Sequence, residues 1–238
     1  MINYNVPLEI IPENDILRLE KLYQFEIVDT APEPGFDTIA QFAAEIFETE
    51  HAYISFVDKE TIFNKASISG DGSEKISRAD SLCALSILKE QVTVYADTYN
   101  FHELLDSPFF SGYEDIRFYA AAPIITAEGF ILGTVYVTDH QPHSTVTDRQ
   151  LKMLQMLAEM VMEKLEKRLA ARKVATAYDA RMHRLVHDLK NPITSISLYA
   201  QLLSNREMSA EKVFSMAAKI EKSTKVIEKN LNSLLTNN

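Results

Sequence analysis

The stretch TDRQLKMLQMLAEMV, residues 147–161, is where the chain changes period. Thr147 and Gln150 have the spacing of a capping box, in which the hydroxyl takes the backbone N–H three residues on and the glutamine side chain reaches back. From there Leu151, Leu154, Ala158, Val161 and Leu165 recur in steps of three and four, one apolar face of an α-helix. Upstream the pattern is mixed. HAYISFVD (51–58) and TIFNKASIS (61–69) are rich in β-branched and aromatic residues and lie close together, which predicts a hairpin. IRFYAAAPIIT (116–126) and FILGTVYVTD (130–139) predict a second pair, joined by a turn around Glu128 and Gly129. VTVYAD (92–97) reads as a further strand, residues 14–27, 36–48 and 81–90 as helices, and 100–110 as an irregular or helical excursion. The fold class is therefore α+β: an antiparallel sheet flanked by helices, followed by helices alone.

Beyond Thr147 neither Gly nor Pro interrupts the chain until Pro192. The apolar seam passes less regularly through Leu169, Val174 and Tyr178, resumes as Met182, Leu185 and Leu189, and continues as Ile193, Ile196, Ala200 and Leu203. Its consecutive steps of four have the character of stutters, which locally unwind a left-handed supercoil. SNREMS (204–209) breaks the pattern. A second helix, capped by Ser209, then carries Val213, Met216, Ile220, Ile227, Leu231 and Leu234 on one face. A forty-residue helix with a single apolar seam is not stable alone in water, so the seam calls for a partner helix. Two antiparallel helices whose stripes are too wide for each other are completed by pairing two hairpins into a four-helix bundle. The expectation is a parallel homodimer.

Composition sets the outer limits. The chain has 238 residues, 46% hydrophobic and 24% charged, ordinary globular material. The net charge of −10 is uneven: residues 1–150 carry 9 Lys and Arg against 25 Asp and Glu, whereas residues 151–238 carry 15 against 9. An acidic first part and a second part with dispersed basic charges argue against a nucleic-acid partner. A single cysteine, Cys83, excludes an intramolecular disulfide and a cysteine-rich zinc site. No run of 18 apolar residues and no secretory N-terminus is present, so no membrane association and a cytoplasmic location are expected.

One heptapeptide in the helical part carries chemistry. HDLKNPI (187–193) puts a proline inside a helix, at a cost of roughly 3 kcal/mol and one backbone donor. Leu185 and Leu189 lie on the seam, and His187, two residues from each, stands about 200° around the helix and points outward. Asn191, four residues on, shares that exposed face. Asp188 supplies a carboxylate beside the ring, and an imidazole whose N–H is held by a carboxylate is a usable nucleophile near neutral pH. Pro192 clashes with the Asp188 carbonyl and is expected to make a bend point just below the ring.

HDLKNPITSI resembles the phosphoacceptor H-box of sensor histidine kinases at every position: His, Asp or Glu, any residue, Lys or Arg, Thr or Asn, Pro, Leu or Ile. Residues 178–236 resemble the dimerisation and phosphotransfer domain of that family. The resemblance implies that His187 is phosphorylated, that Asp188 is its acid–base partner, and that Asn191 orients the water when a response regulator is dephosphorylated. Residues 16–168 resemble a GAF domain, through LYQFEIVDTAPEPGFDTIAQFAA, ISFVDKE, SRADSLCALSI, FYAAAPIIT with FILGTVYVTD, and TDRQLKMLQMLAEMV. The expected organisation is an N-terminal extension (1–15), a GAF-like sensor (16–146), a coiled-coil signalling helix (147–177) and the phosphotransfer hairpin (178–238).

The kinase family also needs an ATP-binding domain, and no asparagine box, glycine-rich lid or GxxxxGK[ST] motif occurs in the sequence. No autonomous kinase activity and no cofactor in this chain are expected; ATP and Mg would act only through a catalytic domain supplied in cis or in trans. Two-component signal transduction, with a response regulator receiver domain as partner, is the leading reading. A dimeric adaptor, or a ligand-binding GAF protein that binds a kinase or regulator without being phosphorylated, is the alternative. The sensor ligand is left open. Cys83, in an apolar helical context, reads as a buried structural cysteine rather than a bilin anchor, and a lone cysteine lacks the resolving partner of a methionine-sulfoxide reductase. Asn64 and Lys65 match only the start of a cyclic-nucleotide signature. His102, His140 and His143 do not make a metal spacing.

Overall fold

The computed structural model describes residues 8–68, 76–101, 115–204 and 208–235, and the chain divides into two compact units that meet at Leu169 and Ala170. It is α+β. In the first unit, α1 (Asp15–Gln24) and α2 (Pro34–Phe47) precede β1 (His51–Val57), β2 (Thr61–Ile68), the short β3 (Ile76–Ser77), α3 (Leu82–Ser86), β4 (Thr93–Tyr95), β5 (Phe118–Ile125) and β6 (Ile131–Asp139). The six strands form one antiparallel sheet in the order β3-β2-β1-β6-β5-β4. Both expected hairpins are present. Asp58 closes the first, its N–H donating to Thr61 O at 2.9 Å while its carboxylate accepts from Lys59 N at 2.8 Å. The second turns at Gly129, whose φ of +88° is open to glycine at no steric cost. Gly133 on β6 is needed for a different reason: a Cβ there would stand 2.0 Å from the Ser55 carbonyl oxygen on β1.

Period-two alternation assigns the two faces of the sheet. On β5, Phe118, Ala120, Ala122 and Ile124 face one core, while Tyr119 and Ala121 face the other. The first core is filled by Leu19 and Leu22 of α1, Phe36, Ile39, Ala43 and Phe47 of α2, and the opening turns of α4 (Asp148–Leu203). The helix predicted over 14–27 stops at Gln24, because Glu26 and Asp29 adopt positive φ and turn the chain toward α2, where Pro34 occupies the first turn. The helix expected over 81–90 contracts to Leu82–Ser86, capped by the Ser81 hydroxyl on Cys83 N at 3.1 Å. The excursion expected over 100–110 and His102 lie outside the described residues, apart from Asn100 and Phe101.

The capping box opens α4 as expected. Thr147 N donates to Gln150 Oε1 at 3.0 Å and Gln150 N to Thr147 Oγ1 at 3.3 Å. The seam behind it needs correction. Leu154, Leu157, Ala158, Val161, Met162 and Leu165 are buried in the first core, so this stretch has its partner in the sheet and in α2 of the same chain. Periodicity revealed an apolar face without saying what covers it.

A buried ionic cluster stitches this unit together. Asp15 accepts from Arg18 Nε and from Arg78 Nη1 (2.9 Å) and Nη2 (3.1 Å), with all three side chains at most 2% exposed. The guanidinium groups also donate to the Val57 and Ile10 carbonyls. Burial alone would raise the Asp15 carboxyl; the bonds from Arg78 and the charge of Arg18 outweigh it and hold it below the ordinary carboxylate range.

In the second unit the later part of α4 and α5 (Ala210–Leu235) form an antiparallel hairpin. Two contacts fix its register: Lys219 Nζ lies 5.2 Å from the Tyr199 ring centroid, and Asn230 reaches Asp188. The facing positions are Leu185, Leu189, Ile196 and Leu203 against Met216, Ile220 and Ile227, all only half-buried. Among the described residues of this unit Pro192 alone is buried.

Candidate functional site

The heptapeptide sits within α4, which continues through Pro192. His187 is 72% exposed and Asp188 63%, with the ring Nδ1 3.4 Å from Asp188 Oδ1. An Nδ1 that donates to this carboxylate leaves the lone pair on Nε2. Asn191 is exposed one turn further on the same face. Three of the four residues singled out from sequence therefore share one solvent-facing surface. Pro192 does not; it is buried.

The backbone around Pro192 is bonded unusually. A helical residue at 192 would donate its N–H to the Asp188 carbonyl, and proline has none. Asn230 Nδ2 on α5 donates to that carbonyl instead, at 3.4 Å. One turn later Thr194 Oγ1 bonds back to Lys190 O at 2.8 Å and Ser195 Oγ to Asn191 O at 3.1 Å, a pattern that bends helices. Sequence reading missed Asn230, Thr194 and Ser195. The available signal was an amide three residues after Ile227, on an otherwise apolar face.

Next to this hairpin face α4 exposes Met182, Val186 and Ile193, 40–57% accessible, in steps of four and seven that keep them on one stripe beside Leu189. Val186 was not noted as part of the seam. Phe214 and Val226 are exposed on α5.

The second face of the sheet in the first unit is the other site to consider. Tyr53 stacks on Tyr136 at 4.8 Å, Tyr119 lies 5.5 Å from Tyr136, and the Tyr119 hydroxyl bonds Ser86 Oγ at 2.9 Å and reaches Cys83 Sγ at 3.9 Å. Cys83 is fully buried, and burial pushes its thiol up despite hydrogen bonds from its neighbours. A protonated, inaccessible thiol is a structural residue rather than an attachment point. Asn64 Oδ1 accepts from Ser55 Oγ at 2.6 Å, and Lys65 is tied to Thr30, the Ala31 carbonyl and Glu33, so both have structural partners. His140 Nδ1 contacts the Asp115 carbonyl oxygen, and His143 stacks on Phe118 at 4.0 Å with its Nε2 2.9 Å from Asp139. Among the described residues no three His, Cys, Asp or Glu side chains converge as metal ligands. Among the described residues no helix is long and apolar enough to cross a membrane.

Comparison with known proteins adds the following. The family model of the GAF domain matches residues 32–165, and that of the His Kinase A (phospho-acceptor) domain matches residues 182–236. A cyclic di-GMP phosphodiesterase of Pseudomonas aeruginosa is 34% identical over 154 residues, which are 65% of this chain and 26% of that protein. The chain thus matches about a quarter of that relative's length. Among solved structures, the GAF domain of an Acinetobacter phosphoenolpyruvate-protein phosphotransferase is similar at 15% identity and a TM-score of 0.47, over 69% of this chain and 97% of that one. A domain described as belonging to a two-component sensor histidine kinase of Sinorhizobium meliloti is similar at 15% identity and a TM-score of 0.47, over 61% and 99%.

Proposed function

The chain belongs to the GAF domain family and carries a His Kinase A phospho-acceptor domain behind the GAF segment, so it is a protein of two-component signal transduction; on that premise we propose that His187 accepts a phosphoryl group and passes it to a response regulator. The observation that carries this reading is an imidazole 72% exposed, with a carboxylate at its Nδ1, inside a complete H-box. The donor is ATP with Mg²⁺, held by a catalytic domain acting in cis or in trans. Nε2 attacks the γ-phosphorus; the N–P bond forms as the bridging P–O bond breaks, and ADP leaves with the electron pair. Asp188 holds the proton on Nδ1 and stabilises the imidazolium charge that develops. Asn191, one turn away on the same face, positions water when phosphate is removed from a receiver domain.

The functional unit is a homodimer. The half-buried hairpin face and the exposed Met182, Val186 and Ile193 stripe support it, because a second hairpin would cover both and complete a four-helix bundle. The GAF segment is the sensor for a ligand still to be found, and α4, which supplies residues to both units, is the transmitter.

The test separates the three exposed residues. A histidine kinase catalytic domain, ATP and Mg²⁺ are added and acid-labile phosphate is followed. His187→Gln abolishes labelling without loss of fold, Asp188→Asn slows it by about 100-fold or more, and Asn191→Ala leaves it intact while weakening dephosphorylation of a bound receiver domain. Labelling that survives in H187Q contradicts the assignment. A wild type that binds a receiver domain but takes phosphate from no donor is an adaptor.

A further inference from the structure

We propose that Asn230 is a positioning residue for the His187 site, acting through the Asp188 carbonyl; this rests on the phosphoacceptor reading. The H-box creates a specific deficit. Pro192 provides no N–H for the Asp188 carbonyl, and its ring presses on that same group. With no helical donor, that carbonyl is left to water or to a side chain of the neighbouring helix. Asn230 Nδ2 fills the gap at 3.4 Å from the opposite helix.

Its placement fits that role. Asn230 is half-buried, three residues beyond the half-buried Ile227 on the apolar side of α5, where an amide is expensive unless it meets a partner. The Tyr199–Lys219 contact sets the same antiparallel register, in which 188 falls opposite 230. Thr194 and Ser195 bond back to Lys190 and Asn191, so the following turn is loosened by its own hydroxyls and depends more on an outside hold. The residue held by its backbone is the one whose carboxylate stands 3.4 Å from the His187 ring. A shift of α5 along α4 therefore moves the acid–base partner relative to the imidazole. An amide on the second helix becomes the link by which hairpin rearrangement alters the reactivity of the first.

The decisive experiment crosses Asn230→Leu, which keeps the γ-branched shape and removes the donor, with Pro192→Ala, which restores the missing N–H. Two readouts are taken on the full chain: the Asp188 carbonyl ¹³C resonance, and the rate of His187 labelling by a catalytic domain with ATP and Mg²⁺. N230L is expected to shift the carbonyl resonance and lower the maximal labelling rate about tenfold, with the donor's KM unchanged. In the P192A background the same replacement is expected to change neither readout appreciably, because the carbonyl again has its helical partner. The carbonyl readout needs no phosphate, so if the wild type accepts none the phosphoacceptor reading fails by itself and the resonance alone judges the contact. A resonance indifferent to N230L, a wild-type labelling rate in N230L, or an equal effect of N230L in both backgrounds overturns the proposal.

Discussion

The two units solve the problem of burying apolar surface to different degrees. In the first, both faces of the sheet are covered, the opening turns of α4 are spent on the core, and even charged side chains such as Arg78 are fully enclosed with their partners. In the second, two helices leave their best apolar residues half-buried, and among its described residues only Pro192 is buried. The lesson is that the GAF segment encloses its core within one chain, whereas the hairpin does not. Completing it from a second copy would tie the geometry around His187 to whatever alters the pairing.

The contrast breaks most visibly at the ionic cluster. Asp15→Asn leaves Arg18 and Arg78 buried without their carboxylate, and is expected to cost about 3–5 kcal/mol in denaturant unfolding of the first unit. A loss below ~1 kcal/mol would mean that this core tolerates what a closed interior should not. In the second unit a charge at an exposed apolar position should act on association instead. The double variant V186D/I193D is expected to be monomeric by light scattering at tens of micromolar, with the unfolding midpoint of the first unit unchanged. A wild type that is itself monomeric at that concentration removes the dimer from the account.

What could be read in advance follows the same division. Both hairpins, the capping box and the H-box were legible because each is specified by residues within a few positions of one another. The Asp15–Arg18–Arg78 cluster was not, since Asp15 and Arg78 stand 63 residues apart and each looks like an ordinary surface charge in sequence. The seam at Leu154, Val161 and Leu165 was seen, but its partner was misjudged: a 3.6-residue period identifies a face and is silent about what covers it. Asn230 was missed because its partner is a backbone carbonyl exposed by a proline 38 positions away.

A smaller effect sharpens the comparison through pH. Asp15 is held below the ordinary carboxylate range when folded, and Glu33, partly exposed and bonded by Lys65 and Arg168, is shifted in the same direction. A depressed folded value contributes stability that is present above the unfolded value, near about 3.9 for aspartate, and is lost as pH falls through the folded value. The first unit should therefore lose stability on acidification below about pH 4, and D15N should flatten that dependence. Acid titration of unfolding followed by circular dichroism checks the sign.

The assignment of His187 is tested most directly by locating the phosphate. After labelling in trans, fragmentation mass spectrometry at neutral or alkaline pH, where the N–P bond persists, is expected to place the whole of the acid-labile phosphate on His187. Phosphate on His183 one turn earlier, or retained in the H187Q protein, would contradict it.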